Sequence, residues 1–179
     1  MIKATIGELL DGALDKQANV SDSIVYIVRE GDLVFYIGES ANVIERLWSH
    51  LGQGSFGWAS DSELGRLIKD NLPTARDWQV ELLTTEDCVS VIENLTDLRF
   101  EVASTGVYLP QEPVTLDGFT FQPRIKFDRK DLECEVIRAY KPCLNTACNP
   151  TPTPLPEKYH NIYQRHPLAD KLDELFRLV

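Results

Sequence analysis

The sequence predicts an α/β (α+β) fold in which a small three-stranded, mixed or antiparallel sheet is flanked by helices. Two observations predict it. Short β-branched and aromatic runs alternate with segments whose apolar residues recur at helical spacing. The chain has 179 residues, 43% of them hydrophobic, which is enough for one well-buried core. We therefore expect one compact domain.

The first half of the chain predicts a helix, a β-hairpin and a second helix. Apolar residues at helical spacing predict a helix over residues 5–16. Two strands follow, at 23–28 and 33–37, joined by a tight turn that contains Gly31 and Asp32. Asn42 is expected to cap the next helix, with Glu45 completing a capping box, and Gly52 and Gly54 end it.

The second half predicts a third strand, an insertion and two further helices. A helix over about 62–70 precedes the strand at 78–83, and Pro73 separates them. Asp128 is expected to cap a helix from 129 to about 141, which Pro142 ends. Residues 1–148 form one domain, with its core at 22–52, 77–84 and 128–145 and an insertion at about 86–127. Within the insertion we expect a helix at 87–94 and extended runs at 100–109 and 115–121. A proline-rich connector and a short helix, packed on the domain, follow within 149–179.

The charge balance restricts the function. The 18 Lys+Arg and 28 Asp+Glu give a formal net charge of -10, which excludes a polybasic, sequence-independent coat on nucleic acid. Residues 53–120 hold 12 acidic and 4 basic side chains, whereas 121–148 hold 6 basic and 4 acidic ones. We therefore expect the acidic insertion to lie away from any nucleic-acid track.

No apolar run approaches the roughly 20 residues of a membrane-spanning helix, and the first residues lack the pattern of a signal peptide. We expect an intracellular, cytoplasmic protein that contacts no membrane. The four cysteines are Cys88, Cys134, Cys143 and Cys148, too few and too scattered for a disulfide framework, so reduced thiols are expected.

Four side chains around the hairpin and the second helix form the first candidate site. Tyr26 and Tyr36 lie in paired strands, and Arg46 and His50 are four residues apart, so they share a helix face. That face borders the apolar one, and both side chains can point over the sheet edge. Each residue alone is explained equally well as an ordinary strand aromatic or a solvated surface side chain.

Glu133 gives an independent signal. It falls within the apolar face of the helix that Asp128 caps, whereas Glu135 points away from that face and is expected to be solvated. A carboxylate on a buried face needs a cation partner, a metal ion or a water-filled site beside it. A salt bridge to an arginine at the edge of the core is the plainer alternative.

A zinc site is a weaker alternative. Cys143, Cys148, His160 and His166 have a spacing close to that of a zinc finger. The segment between Cys148 and His160 is rich in proline, and Pro167 disfavours a helix at His166, so structural zinc is not favoured.

Taken together, these motifs resemble the GIY-YIG nuclease superfamily. The segments are IVY (residues 24–26), YIG (36–38), NVIERLWSHL (42–51) and ECEVIRAYKPCLN (133–145), in the order of the family. The first has IV in place of GI, and Glu39 follows YIG where some relatives carry Lys.

The resemblance implies a metal-dependent endonuclease that hydrolyses DNA phosphodiester bonds. Tyr26 and Tyr36 would line the active site, Arg46 would contact the scissile phosphate, and His50 occupies a place where relatives carry Tyr or His. Glu133 would hold a single Mg²⁺ or Mn²⁺, and whether Tyr26, Tyr36 or His50 is the general base stays open. Substrate binding would further involve these four residues: Gly38, Asn145, Lys130 and Lys141.

The expected partner is DNA, and the terminal helices could mediate a homodimer. Several basic residues, including Lys130 and Lys141, surround the helix that carries Glu133 and could track a phosphate backbone. The alternative function is a catalytically silent module of the same fold that binds nucleic acid or a protein partner through its acidic insertion.

Overall fold

The computed structural model describes residues 1–14, 20–52 and 62–163. A four-stranded antiparallel sheet forms its centre, with the strand order β1-β4-β2-β3. The strands are β1 (Ile2–Thr5), β2 (Val25–Glu30), β3 (Leu33–Glu39) and β4 (Gln79–Leu83). The predicted hairpin and third strand are confirmed as β2, β3 and β4. The predicted number of strands is wrong, because β1 adds a fourth strand beside β4.

In the described part of the chain, five α-helices surround this sheet. They are α1 (Ile6–Leu10), α2 (Val43–His50), α3 (Glu63–Asp70), α4 (Thr85–Leu95) and α5 (Arg129–Tyr140). Short 3-10 turns lie at Val20–Asp22, Thr74–Asp77 and Glu157–Tyr163. Helices α2 to α5 follow the predicted positions to within a few residues.

The predicted helix over 5–16 starts within one residue of its expected position, at Ile6, but it is wrong at its end. Residues 2–5 form the unpredicted strand β1, and Thr5 then caps α1, its hydroxyl accepting from the Glu8 N–H at 3.1 Å. Helix α1 ends at Leu10, and residues 15–19 lie outside the described part of the chain. Residues 2–5 are a strand because they pair with β4, more than 70 residues away. Local periodicity cannot predict a pairing over this distance.

The core has two halves, one on each face of the sheet. Helices α1, α2 and α3 pack on one face around Tyr26, Phe35 and Trp78, which are fully or almost fully buried. Helices α4 and α5 pack on the other face through Ile92, Ile137 and their neighbours. Each fully buried aliphatic or aromatic side chain stabilises the fold by about 1.5–3 kcal/mol, so the sheet is held from both sides.

The predicted insertion forms two small sheets of its own. Strands β5 (Glu101–Ala103), β6 (Gly106–Pro110) and β9 (Arg124–Phe127) make a three-stranded antiparallel sheet. Between β6 and β9, strands β7 (Val114–Leu116) and β8 (Phe119–Phe121) form a separate hairpin. Phe127 packs on Phe100, with ring centroids 5.1 Å apart, and joins the insertion to the second half of the core.

The chain after α5 runs along the outer edge of β3. The N–H groups of Cys143 and Leu144 donate to the carbonyls of Val34 and Phe35, at 3.1 and 2.9 Å. This pairing covers an edge that would otherwise expose unpaired backbone groups. Further on, Tyr159 packs its ring against Phe35 at 5.2 Å, so the segment after the prolines reaches the core. The predicted helix at 167–178 lies outside the described residues.

The expectation of reduced thiols is wrong for two of the four cysteines. Cys134 on α5 and Cys148 form a disulfide, with their Cα atoms 5.2 Å apart, whereas Cys88 and Cys143 are free. Helix α5 and the return of the chain along β3 bring these two residues together, which their spacing in the sequence does not reveal. The disulfide also removes Cys148 from the candidate zinc ligands.

Candidate active site

Most of the sequence-predicted site residues lie around the end of β3, where the strand leaves the sheet at Gly38 and Glu39. Helix α2 approaches this end from one face of the sheet and α5 from the other. Strand β3 is the edge strand of the sheet, and the chain after α5 covers its outer edge as far as Ile37. The site therefore lies where one strand and two helices meet.

Tyr26 lies directly opposite Gly38 in the β2–β3 pairing. Paired residues in an antiparallel sheet project to the same face, so the Tyr26 ring lies over Gly38. A Cβ at position 38 would overlap the Tyr26 phenol ring. The absence of a side chain at Gly38 thus allows the Tyr26 ring to pack directly against the end of β3.

Tyr26, His50 and Ser62 form a buried polar chain. The Tyr26 hydroxyl oxygen lies 2.7 Å from His50 Nε2, and His50 Nδ1 lies 2.8 Å from Ser62 Oγ. Burial, and then the Arg46 charge, lower the pKa of His50 to about 4, so the ring is neutral at physiological pH. Burial also raises the pKa of Tyr26, so its hydroxyl stays protonated.

Ser62 is a site residue that the sequence analysis did not single out. Its hydroxyl accepts from the Gly65 N–H at 3.0 Å and so caps α3. A Cβ at Gly65 would overlap the carbonyl oxygen of His50, so the end of α2 and the start of α3 are in close contact. The N-cap position of Ser62 was readable from the sequence, but its proximity to His50 depends on this packing of two helices.

Tyr36 and Arg46 lie at the more accessible side of the same cluster. The Tyr36 ring centroid is 6.0 Å from that of Tyr26 and 5.2 Å from that of His50. Tyr36 is half-buried and Arg46 is exposed. Burial raises the pKa of Tyr36, and the Arg46 guanidinium and a hydrogen bond with Tyr26 partly offset this rise. Arg46 thus supplies positive charge beside both phenols.

Glu133 reaches the site from α5. Its Oε1 accepts a hydrogen bond from the backbone N–H of Glu39 at 3.0 Å. Burial raises the pKa of this half-buried carboxyl, and the neighbouring Glu39 carboxylate raises it further, while Lys130 and Arg46 lower it. The backbone at the end of β3 therefore holds the Glu133 carboxylate in place.

Glu39 faces a cation from α5. Its Oε2 lies 3.9 Å from Arg129 Nε. The sequence analysis did not connect these two residues, because only the packing of the N-terminus of α5 against the end of β3 brings them together. A positive side chain is thus present next to position 39, supplied by a different element.

Lys130 and Lys141 lie at opposite ends of α5. Lys130 is one turn from Glu133, whereas Lys141 is eight residues beyond it, about 12 Å along the helix axis. Lys141 ends the helix in the left-handed conformation, with φ 51°. Helix α5 therefore brings Lys130 to the site and keeps Lys141 away from it.

Asn145 braces β3 immediately before Gly38. Its Oδ1 accepts from the Ile37 N–H at 2.9 Å, and its Nδ2 donates to the Ile37 carbonyl at 2.8 Å. Asn149, another residue that the sequence analysis did not single out, donates from Nδ2 to the carbonyls of Pro142 and Asn145. Both amides are buried, so this loop fixes the end of β3 from outside the sheet.

A cleft of about 650 Å³ opens beside Glu39. One wall comes from the turn between β5 and β6 and from Glu86, and the other from Phe127 and the first residues of α5. Residues of the insertion thus line a cleft beside the candidate site, whereas the expectation that the acidic insertion lies away from a nucleic-acid track stays a prediction. Among the lining residues of the insertion, however, Glu86 is the one acidic side chain, so little of the acidity of residues 53–120 reaches the cleft.

Glu135 is less exposed than predicted. Its side chain is half-buried, and it forms an ion pair with Arg138, one turn further along α5. Trp48 packs against the first half of the core. These residues therefore have structural explanations and stay outside the candidate site.

The described residues contain no group of three or more His, Cys, Asp or Glu side chains arranged to hold a metal ion. They do contain the single carboxylate, Glu133, on which the predicted magnesium site depends. Within the same residues, no helix is long and apolar enough to cross a membrane.

Comparisons with known proteins return no relative. No protein-family model, no curated protein and no solved structure matches the chain. The structure by itself shows a mixed α+β fold with antiparallel sheets.

Proposed function

We propose that this protein is a metal-dependent endonuclease that hydrolyses DNA phosphodiester bonds by a one-metal mechanism of the GIY-YIG type. The observation that carries the proposal is the convergence at the end of β3. Two tyrosines, a neutral histidine and an arginine meet there on one side, and a half-buried carboxylate arrives from α5 on the other.

Phosphodiester hydrolysis needs three things that these residues can supply. A water must be positioned in line with the leaving oxygen, a base must take its proton, and positive charge must meet the charge that develops on the phosphate. Arg46 is exposed and suited to bidentate hydrogen bonds with phosphate oxygens. Lys130, one turn from Glu133, adds a second cation on the same side.

Tyr36 is the better candidate for the general base. It is half-buried, so a water can reach it, whereas the Tyr26 side chain is fully buried. Burial raises the pKa of Tyr36, and the Arg46 charge and a hydrogen bond with Tyr26 only partly offset this rise, so the phenolate would also need the charge of a bound cation. His50 contacts Tyr26 through Nε2 and Ser62 through Nδ1, so it orients the Tyr26 hydroxyl beside Tyr36.

The chemistry around Glu133 fits one hard divalent cation. One carboxylate oxygen is held by the Glu39 N–H, which leaves the other for a ligand. Carboxylate oxygen is a preferred ligand of Mg²⁺, which often binds through one or two carboxylates and keeps several waters. When bound, such an ion stabilises charge on the phosphate and on the leaving oxygen. Glu133 would hold and orient it.

Plasmid nicking in Mg²⁺ or Mn²⁺ tests the proposal, with Arg46→Ala and Glu133→Ala as site variants. Glu135→Ala is the matched control, because it removes a carboxylate from the same helix outside the site. We expect the wild type and the control to nick at similar rates and the two site variants to lose at least about 100-fold. Equal nicking by all four proteins would contradict the site.

A catalytically silent module is the second candidate, and one observation favours it. Glu39 places a second carboxylate beside Glu133, where a phosphate would approach. Its charge is faced by Arg129, which limits the repulsion. A wild-type protein that binds DNA or a protein partner tightly in a mobility-shift or pull-down assay, but never nicks it, would support this function instead.

A further inference from the structure

The β7–β8 hairpin has one apolar and one polar face. Val114 pairs with Phe121 and Leu116 with Phe119, and paired residues project to the same face. The other face carries Thr115 and Thr120, whose hydroxyls lie 2.9 Å apart.

In a folded protein the apolar face of such a hairpin is expected to be buried, but here it is exposed. The Phe119 side chain is 79% exposed, Leu116 61% and Phe121 48%. None of the four apolar residues belongs to either half of the described core. Contiguous apolar surface of this kind is typical of an interaction site.

The turn of the hairpin sets this apolar face at its tip. Asp117 and Gly118 both have positive φ, 48° and 82°, which is the conformation of a tight two-residue turn. Leu116 and Phe119 flank the turn directly and so lie at the end of the hairpin. The Phe119 ring thus lies next to the turn, and the Phe121 ring lies two residues further along β8.

The chain that follows the hairpin is basic, although the hairpin itself carries exposed Asp117 in its turn and exposed Glu112 lies just before it. It leads into β9, where Arg124 and Lys126 share one face, and then into α5 with Arg129 and Lys130. Arg124 forms an ion pair with Glu101 and lies over the Tyr108 ring, yet it stays about half exposed. Nucleic acid combines a polyanionic backbone, which suits this basic run, with flat bases, which suit the apolar face of the hairpin.

We propose that the apolar face of the β7–β8 hairpin binds unpaired bases of the DNA substrate, with Phe119 and Phe121 stacking on them. This inference rests on the proposed function. Residues two apart on a strand are about 6.7 Å apart, close to twice the 3.4 Å rise between stacked bases, so the two rings can take alternate places in a stack. Aromatic stacking of this kind recognises single strands without sequence preference.

The position of the hairpin relative to Glu133 also suits this role. Along the chain, the extended residues 121–127 and the first turn of α5 separate Phe121 from Glu133, a path of about 29 Å. The backbone of the same strand could thus pass the basic residues of β9 and reach the candidate active site. The preferred substrate is then DNA with a gap, flap or loop a few nucleotides from the bond that is cut.

The test compares binding of a short duplex with binding of the same duplex carrying a single-stranded gap that contains 2-aminopurine. Fluorescence anisotropy is measured in EDTA so that the DNA stays intact. We expect the wild type to bind the gapped DNA at least about tenfold more tightly and to change the 2-aminopurine emission. Phe119→Ala/Phe121→Ala should lose the preference, and Thr115→Val/Thr120→Val, on the opposite face, should keep it.

Retention of the preference by the Phe119→Ala/Phe121→Ala variant overturns the proposal. The proposal is also overturned if the same two substitutions convert a dimer to a monomer in sedimentation and leave DNA binding unchanged. The apolar face would then join two copies of the chain. A wild type that nicks plasmid but binds both DNAs equally overturns this inference and leaves the proposed function standing. A wild type that neither nicks nor binds DNA overturns both.

Discussion

The carboxylate of Glu133 accepts a hydrogen bond from the backbone N–H of Glu39 at 3.0 Å, across 94 residues of sequence. This contact joins α5 to the end of β3 and brings two acidic side chains into one site. Burial and the Glu39 charge raise the pKa of Glu133, so its ionised form is disfavoured in the fold without a cation. The carboxylate is thus kept at a cost in stability, as is common for functional groups.

The first prediction follows from this cost. The folded protein holds the Glu133 proton more tightly than the unfolded chain does, so ionisation above the ordinary pKa of 4.5 lowers stability as pH rises. Glu133→Gln keeps an oxygen for the Glu39 N–H and removes the charge. We expect the variant to melt at a higher temperature than the wild type at neutral pH in EDTA.

The advantage of Glu133→Gln should shrink on acidification and in excess Mg²⁺, because both neutralise the wild-type carboxylate. Glu135→Gln, which breaks an ion pair with Arg138 instead, is the control and should not raise the melting temperature. A Glu133→Gln protein that is less stable than the wild type in EDTA would show that the ionised Glu133 carboxylate does not destabilise the fold.

The second prediction concerns His50. Its pKa is about 4 in the fold against an ordinary 6.5, so the unfolded chain binds the extra proton between these values. Stability should therefore fall as pH drops from 6.5 to 4, by up to about 3 kcal/mol from this group. Chemical denaturation across this range measures it.

His50→Gln should flatten this part of the stability curve. His160→Gln, at an exposed position outside the candidate site, is the matched control. The same slope in wild type and His50→Gln would show that His50 is not held neutral by its surroundings.

The third prediction tests the brace at Asn145. Asn145→Ala removes both partners of the buried Ile37 amide and carbonyl, which are left unsatisfied. We expect a loss of about 2–4 kcal/mol in the free energy of unfolding. Asn94→Ala, at an exposed position of α4, should change it little. If the two variants have equal stability, the loop after α5 does not fix the end of β3.

The fourth prediction concerns the disulfide. Cys134–Cys148 links α5 to the loop that carries Asn145, with a sequence separation of 14. Restricting the unfolded chain in this way stabilises a fold by about 3 kcal/mol. Cys134→Ser should therefore lower the free energy of unfolding under oxidising conditions, and Cys143→Ser, at a free thiol, should have a much smaller effect. Insensitivity of the wild type to reductant would count against the bond.

Local signals predicted most of the elements around the site. The β2–β3 hairpin, the cap at Asn42 and the cap at Asp128 all depend on residues within one turn or one hairpin. The capping box at Asn42 differs in detail, since Glu45 accepts from the Asn42 side chain rather than from its backbone N–H. Helical spacing alone was enough to put Arg46 and His50 on one face of α2.

Contacts between distant segments could not be predicted in this way. The pairing of β1 with β4, the disulfide, and the contacts of Glu133 with Glu39 and of His50 with Ser62 all depend on how elements pack. Glu133 illustrates the limit. Its place on an apolar helix face predicted that it needs a partner, but the backbone of Glu39 was identified only by the fold.

The rate of plasmid nicking as a function of Mg²⁺ concentration, for wild type and Glu133→Gln purified side by side, tests the central claim most directly. We predict that the wild-type rate rises with Mg²⁺ to a plateau and that Glu133→Gln stays at least about 100-fold slower at every concentration. Equal rates in the two proteins, or no nicking by a folded wild type in either Mg²⁺ or Mn²⁺, would contradict a nuclease site at Glu133.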